Sequence, residues 1–332
     1  MKAALLLAPK QIEIRQTSDP IPSADQVKIQ PHRMGICGSD VSFFLGHRSV
    51  TYPFLGGHEV VGHVVATGEG VTRLQIGQRV IVEPNYPCGV CRFCRSGRGN
   101  ICPNKVSLGV SVPGCFSESF VAPAEFVWPV PASISDADAV TVEPLAVSLH
   151  ALWKSSAKIG DTVAVIGCGT TGLLLVQAAV AQGIRVLAHD KFPEKMEMAR
   201  KLGAMETDGT PTAELWARED VTTVFECAGV AATVELAIGS APRGSEVMLM
   251  GLSAASAQFQ PLRLVREGIR INSSLIYDHP SDFARAIALV ERGVLEPSRV
   301  VTDSLPFQEI GRALQMACTG QAGKIMIEME NG

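Results

Sequence analysis

Long apolar segments are missing from this sequence. No stretch approaches the roughly 20 apolar residues that a helix needs to cross a bilayer. The amino terminus, MKAALLLAPKQIEI, has an apolar run of about six residues that ends at Pro9, shorter than the roughly 7–15 residues of a secretory signal core. We predict that this segment is a first β-strand. We therefore expect a soluble, cytoplasmic protein with no membrane partner.

A basic stripe is also missing. The chain has 29 Lys and Arg against 33 Asp and Glu, for a net charge of -4, and both signs are interspersed. This distribution argues against nucleic acid as a partner and favours small molecules. Internal repeats, low-complexity tracts and long linkers are equally absent. The nine cysteines, an odd number in a chain with no export signal, favour thiols and metal ligands over a disulfide framework.

The sequence pattern changes near residue 140. A length of 332 residues suggests about two domains, and 46% apolar residues are enough for a core in each. Up to about residue 135, short β-branched runs alternate with Gly and Pro, which indicates an irregular β-rich domain. From about 140, apolar strands alternate with helical stretches, the α/β pattern of a parallel sheet covered by helices.

A glycine motif, GCGTTG at 167–172, follows an apolar strand and opens an apolar helix. Gly167 permits a tight turn, Gly169 lets the backbone approach a pyrophosphate, and Gly172 allows close packing of helix on sheet. The helix that begins with Thr170 and Thr171 offers free N–H groups and a positive dipole end to phosphates. The pattern predicts a dinucleotide site. The alternative is an ordinary strand–helix turn.

Asp190 lies at the end of the next predicted strand, about 20 residues after the motif. A carboxylate there can accept hydrogen bonds from an adenosine ribose, and its charge repels a 2′-phosphate. We therefore predict NAD rather than NADP. Lys191 beside it is a cation that could tolerate the extra phosphate. The alternative interpretation of Asp190 is an ordinary surface aspartate.

Four cysteines, Cys88, Cys91, Cys94 and Cys102, lie within a lobe at about 84–105. A redox pair would use only two of the four cysteines. In ferredoxin-type runs three residues separate the third and fourth cysteines, whereas seven separate them here. Four closely spaced thiolates best fit a closed tetrahedral zinc site. A closed site has no free coordination position, so we predict a structural zinc.

A second metal site is predicted from Cys37 in GICGSD and from His58 and Glu59 in GGHEVVGH. Cysteine, histidine and carboxylate suit zinc, and three protein ligands plus water form the usual catalytic arrangement. Taken singly, Cys37 has the alternative of an inert buried thiol and His58 that of a core histidine.

The order of these motifs resembles that of the medium-chain zinc alcohol dehydrogenases. GICGSD, GHE, the four-cysteine lobe, EPLAVSLHA at 143–151 and GCGTTG occur in the same order, and the resemblance covers essentially the whole chain. EPLAVSLHA looks like the polyol branch, which includes sorbitol, threonine and butanediol dehydrogenases. The resemblance implies a GroES-like β-rich catalytic domain (1–138 and 276–332) and a Rossmann domain with a doubly wound parallel sheet (139–275).

The resemblance also implies roles for individual residues. Cys37 and His58 match ligands of a catalytic zinc, and Glu59 matches a carboxylate that binds it directly or through water. Glu143 matches the acidic zinc ligand that in sorbitol dehydrogenases stands where simple alcohol dehydrogenases use a third Cys or His-set ligand. Asp40 matches an acceptor that orients the ligand histidine. Ser39 matches the hydroxyl that receives the substrate's proton, while Ser42 and His47 are the two candidates for the next step of the relay. His63, His150 and Cys115 are interpreted as structural.

The activity implied by the resemblance is hydride transfer from a secondary alcohol to NAD, with two zinc ions per chain, in a homodimer or homotetramer. The sorbitol enzymes have an aromatic hydroxyl where this chain has Phe43 and an arginine that we align with Ile276. These differences favour a smaller diol or another sugar derivative over sorbitol. Two alternatives are an L-threonine 3-dehydrogenase-like enzyme and, more remotely, a non-catalytic NAD-binding redox sensor.

Overall fold

The computed structural model describes residues 1–205 and 211–329. The strands are β1 Lys2–Ala8, β2 Gln11–Gln16, β3 Gln26–Gly35, β4 Phe54–Leu55, β5 Glu59–Thr67, β6 Arg79–Val82, β7 Asn85–Tyr86, β8 Val106–Ser107, β9 Phe120–Pro123, β10 Val127–Pro129, β11 Thr162–Ile166, β12 Arg185–His189, β13 Val221–Glu226, β14 Glu246–Leu249, β15 Arg270–Ser273, β16 Val301–Pro306 and β17 Lys324–Glu328. The helices are α1 Gly38–Phe44, α2 Arg92–Arg95, α3 Asp136–Lys154, α4 Thr170–Ala181, α5 Pro193–Lys201, α6 Ala213–Arg218, α7 Ala231–Ser240, α8 Pro261–Glu267, α9 Ser281–Glu291 and α10 Ile310–Cys318. Four short 3₁₀ turns lie at Gly99–Ile101, Ala124–Phe126, Pro297–Val300 and Phe307–Glu309.

The first compact unit comprises Met1–Glu143 and Val301–Gly332. Its largest sheet has seven strands in the order β10-β6-β5-β3-β17-β16, with β9 paired to β3. All pairs in it are antiparallel except β16 with β17. Two smaller sheets, β2-β1-β4 and β7-β8, complete the strands of this unit. Because β17 pairs with β3, the carboxyl-terminal segment belongs to the same sheet as the amino-terminal strands.

The second compact unit is Pro144–Val300. Its sheet is fully parallel, in the order β12-β11-β13-β14-β15. The interior strand β11, TVAVI, is buried at every position, as expected when both faces of a parallel sheet are covered. Met205 forms an isolated parallel bridge with Leu187 beyond β12, which extends the order to the 3-2-1-4-5-6 pattern of dinucleotide-binding folds.

The unit boundaries fall later in the chain than the predicted boundaries at 138/139 and 275/276. The first lies within α3, directly before Pro144. The second lies at Val300, because α9 and the turn after it pack in the second unit, where Gln177 Nε2 donates to the carbonyl of Glu296 (2.9 Å). The domain assignment of 276–300 therefore stays a prediction.

Within the described residues, the helices include none that is both long enough and apolar enough to span a membrane.

Candidate active site

The segment GICGSD turns sharply from β3 into α1, and Asp40 holds this turn. The backbone N–H of Cys37 donates to Asp40 Oδ2 (2.9 Å), and the N–H of Gly57 donates to Asp40 Oδ1 (3.1 Å). Asp40 is buried, and burial raises the pKa of its carboxyl group. One carboxylate thus ties together the two sequence motifs that carry Cys37 and His58.

Cys37, His58 and Glu59 converge at the ends of two paired strands. Their ligand atoms all lie within 4.8 Å of one another. Glu59 begins β5 opposite Gly35 of β3, and a Cβ atom at Gly35 would lie 2.1 Å from Glu59 Oε2. Only glycine leaves room for the carboxylate at this position. The structure therefore brings together three of the predicted catalytic residues.

The charge of this group suits a divalent cation. His58 is buried, which lowers the pKa of its ring, but the neighbouring Asp40, Cys37 and Glu143 raise that pKa well above its ordinary value. The excess of anionic groups around a borderline-soft Cys–His–carboxylate set fits zinc. Asp40 Oδ1 is 3.8 Å from His58 Nδ1, too long for the hydrogen bond that the resemblance implied, because Asp40 accepts from two backbone groups instead.

Lys324 is a site residue that the sequence analysis missed. Its Nζ lies 2.7 and 2.6 Å from the two carboxylate oxygens of Glu59 and donates to the carbonyl of Ile36 (2.9 Å). Both side chains are buried, with 1% and 0% exposure. The only sequence signal is a lysine at the start of the apolar strand KIMIE. Its partner is 265 residues away in the chain, so no local pattern reveals the pair.

Glu143 and Ser39 occupy the surroundings of this group. Glu143 is buried, and its charge raises the pKa of His58 and of Lys324, but it does not belong to the 4.8 Å group found among the described residues. The hydroxyl oxygen of Ser39 is buried and has no hydrogen-bond partner in the described part of the chain. Ser42 donates to the carbonyl of Gly38 (3.1 Å), whereas His47 is exposed.

The four cysteines of the lobe form a compact group. The Sγ atom of Cys91 lies 3.4 Å from that of Cys94 and 3.8 Å from that of Cys102, and the Sγ atoms of Cys88 and Cys94 lie 3.9 Å apart. A tetrahedral zinc with Zn–S bonds of about 2.3 Å requires sulfur separations of about 3.8 Å. Backbone N–H groups of Val90 and Cys91 lower the pKa of Cys88 to about 6, which favours the thiolate.

The glycine motif lies between β11 and α4. Gly167 has φ of 92°, and a Cβ atom there would lie 2.7 Å from the backbone nitrogen of Ala228. A Cβ atom on Gly172 would lie 1.9 Å from the carbonyl oxygen of Gly167, whereas the space beside Gly169 is open. Gly169 caps the helix that starts with Thr170 and Thr171. The open space at Gly169 fits the close approach of a pyrophosphate.

Asp190 follows β12 and is oriented by the motif itself. Its Oδ2 accepts from the N–H of Cys168 (2.7 Å) and its Oδ1 from the N–H of Phe192 (3.0 Å). Lys191 Nζ lies 4.8 Å from the centre of the Phe192 ring. Lys195 on α5 is buried, which lowers the pKa of its amine, and Asp190 acts in the opposite direction. Lys195 is therefore a second cation near Asp190 that the sequence analysis did not identify.

The two positions that differ from the sorbitol enzymes offer no polar side chain. Phe43 is buried and stacks obliquely on Phe54, with ring centres 4.9 Å apart. Ile276 adopts φ of 46°, a left-handed conformation that costs a β-branched residue about 1–3 kcal/mol. Cys115, interpreted as structural, is fully buried.

Comparison with known families agrees with this geometry. The family described as "Alcohol dehydrogenase GroES-like domain" matches residues 23–132, and the one described as "Zinc-binding dehydrogenase" matches residues 170–292. The predicted fold class, GroES-like domain plus Rossmann-like parallel sheet, is confirmed, as is the recognition of the superfamily from its motifs.

Similar proteins cover nearly the whole chain. "Starvation-sensing protein RspB" of Escherichia coli strain K12 is 31% identical over 329 residues, 95% of each chain. "Sorbitol dehydrogenase" of Bacillus subtilis strain 168 is 30% identical over 332 residues, 96% of this chain and 93% of the relative. A solved structure of rspB from E. coli CFT073, described as a short chain alcohol dehydrogenase complexed with the cofactor NADH, is 30% identical, has a TM-score of 0.92 and covers 99% of both chains. The prediction that the chain is an enzyme is confirmed by this relationship, and the chain belongs to the zinc-binding dehydrogenases with a GroES-like domain.

Proposed function

We propose that the protein is a zinc- and NAD-dependent dehydrogenase that oxidises a secondary alcohol to a ketone. The observation that carries the proposal is the group of Cys37, His58 and Glu59, which supplies three converging ligands in a buried site. Three protein ligands leave a coordination position for substrate, whereas the four cysteines of the lobe would fill a tetrahedral site completely. The first group suits catalysis and the second suits a structural zinc.

Each residue of this site has a separate proposed role. When bound, zinc supplies a Lewis acid that lowers the pKa of an alcohol hydroxyl. Cys37, His58 and Glu59 would hold it, with Glu143 as a further carboxylate, and Lys324 keeps Glu59 in place through both of its oxygens. The unpartnered hydroxyl of Ser39 is available to accept the substrate's proton. Ser42 is hydrogen-bonded to Gly38, and the exposed His47 can exchange a proton with solvent.

NAD is the proposed cofactor. The carboxylate of Asp190 is held by two backbone N–H groups at the end of β12, where it can accept from a ribose and repel a 2′-phosphate. The pyrophosphate would lie against Gly167, Gly169 and the start of α4. The NADH complex of the rspB structure supports this choice. Lys195 is the residue through which NADP could gain some affinity.

The substrate is proposed to be a polyol, diol, sugar acid or sugar phosphate. The similarity to a sorbitol dehydrogenase supports a polyhydroxylated compound. Phe43 and Ile276 remove two of the polar groups that the resemblance assigns to sorbitol recognition. Sorbitol itself is therefore a weaker candidate than a related compound that other residues bind.

We also propose a homodimer or homotetramer in the cytoplasm. The strand β15 is at the edge of the parallel sheet, and the nearby side chains of Leu262 and Val265 on α8 are 63% and 81% exposed. Covering an exposed edge and its apolar neighbours with a second copy is a common solution. None of the nine cysteines forms a disulfide, which supports a reducing compartment.

The decisive experiment measures NADH formation by its near-ultraviolet absorbance over a panel of polyols, diols, sugar acids, sugar phosphates and threonine. The same panel is run with Cys37→Ala and with the matched variant Cys318→Ala, which alters a thiol on α10 outside the site. We expect turnover of one substrate group by wild type and Cys318→Ala, and loss of activity together with one zinc equivalent in Cys37→Ala. Full activity and unchanged zinc content in Cys37→Ala would refute the catalytic assignment.

A further inference from the structure

A third group of potential metal ligands lies in the second unit, and the proposed function does not use it. His150 on α3, Asp278 and Asp282 offer ligand atoms that all lie within 4.8 Å of one another. His150 and Asp282 are 6% and 5% exposed, and Asp278 is half-buried. From the sequence, His150 is interpreted as structural, and no local pattern singles out the two aspartates. Their proximity arises only when α3 meets the amino-terminal turn of α9.

Two buried polar atoms of this group take no part in its hydrogen bonds. His150 Nδ1 lies 2.7 Å from Asp282 Oδ2, and the backbone N–H of Asp278 donates to the same oxygen (2.9 Å). His150 Nε2 and Asp278 Oδ1 are both buried, and neither has a hydrogen-bond partner in the described ranges. Unsatisfied buried polar atoms are rare and costly in folded proteins, and an ion bound beside His150 Nδ1 and the two carboxylates would satisfy Asp278 Oδ1.

The charge balance of this group also favours a bound cation. A neutral histidine with two carboxylates carries a surplus of negative charge, and the charge of Lys154 is among those that act on Asp278. If His150 carries its proton on Nε2, its Nδ1, which lies beside Asp282 Oδ2, presents the lone pair that a metal requires. Ligand atoms around one zinc ion, at bond lengths of about 2.0–2.2 Å, lie up to about 4.4 Å apart, so small side-chain rotations suffice.

We propose that His150, Asp278 and Asp282 bind a divalent transition-metal ion of the zinc class at a third site, separate from the catalytic and cysteine sites. Imidazole with carboxylates suits this class of cation. The ion would fasten α3 to the start of α9 within the second unit, because His150 lies on the first helix and Asp282 in the first turn of the second. The site therefore has a stabilising role that is independent of the proposed substrate and of the zinc that serves catalysis.

The test compares full-length wild type with Asp278→Asn and with a matched control, Glu291→Gln. Asp278 is chosen because its Oδ1 has no partner to lose, and Glu291 because it is an exposed acid at the far end of α9. Each protein is dialysed against buffered micromolar Zn²⁺, and bound zinc is counted by mass spectrometry. We expect Asp278→Asn to hold one zinc equivalent fewer than wild type and Glu291→Gln to hold the same amount.

Thermal unfolding gives a second measurement that does not depend on activity. At a free Zn²⁺ concentration of about 100 times the dissociation constant, we expect the melting temperature of wild type and Glu291→Gln to rise by roughly 5–10 °C more than that of Asp278→Asn. Circular dichroism before heating verifies that the variant is folded. Equal zinc content and equal zinc-induced shifts in wild type and Asp278→Asn would overturn the proposal, as would a wild-type protein that gains no stability from Zn²⁺.

Discussion

The buried ion pair between Lys324 and Glu59 makes a quantitative prediction. Lys324→Met removes the ammonium group that contacts both oxygens of Glu59 and leaves a carboxylate of 0% exposure without its cation. Removing one partner of a buried ion pair costs about 3–5 kcal/mol. The equilibrium constant for unfolding should therefore increase by roughly 10²- to 10⁴-fold, at about 1.4 kcal/mol for each factor of ten.

The assay is urea unfolding followed by far-ultraviolet circular dichroism in chelator-treated protein, where no metal ion can replace the lysine as the partner of Glu59. Arg33→Met is the matched control. Arg33 on β3 pairs with Glu328 on β17 at 3.1 Å, but both side chains are well exposed, so its loss should cost only about 0–1 kcal/mol. The double variant Lys324→Met with Glu59→Gln should recover most of the lost stability, because it removes both buried charges.

Two results would contradict this reasoning. A Lys324→Met protein that unfolds at the same urea concentration as Arg33→Met would show that Glu59 needs no cation. A double variant whose loss equals the sum of the single losses would show that the two side chains do not act as a pair.

Three further predictions concern the proposed enzyme. Ser39→Ala should lower kcat by about 10²- to 10⁴-fold through loss of the proton acceptor while NADH binding, followed by fluorescence, stays unchanged; an unaltered kcat would remove Ser39 from the relay. Asp190→Ala should raise the ratio of kcat/KM for NADP to that for NAD by about tenfold or more, since hydrogen bonds to a charged group contribute about 1.5–3 kcal/mol; an unchanged ratio would place the ribose elsewhere. Chelation should make the 84–105 lobe sensitive to protease, because structural zinc contributes about 10–16 kcal/mol in small peptides; equal resistance before and after chelation would exclude a structural metal.

Much of the site could be predicted because its parts are short, local patterns. The four cysteines fall within one lobe, and the glycine motif with Asp190 falls within one strand–helix–strand segment. Cys37 and the pair His58–Glu59 are separated in the chain, so the residues alone did not exclude an inert buried thiol and a core histidine. The order of the motifs then favoured a shared metal site. The pairing of Gly35 with Glu59 is the contact that joins them, and a sequence does not display strand register.

The sequence by itself determined the fold class, the family and the kinds of ligand, because periodicity and motif spacing express local chemistry. Only the tertiary structure showed that Lys324 neutralises Glu59 and that His150 meets Asp278 and Asp282. It also directed Asp40 to two backbone N–H groups instead of to the histidine ring. These contacts join residues that are distant in the chain. A charged group is costly to bury without a partner, and only the tertiary structure determines which groups are buried together.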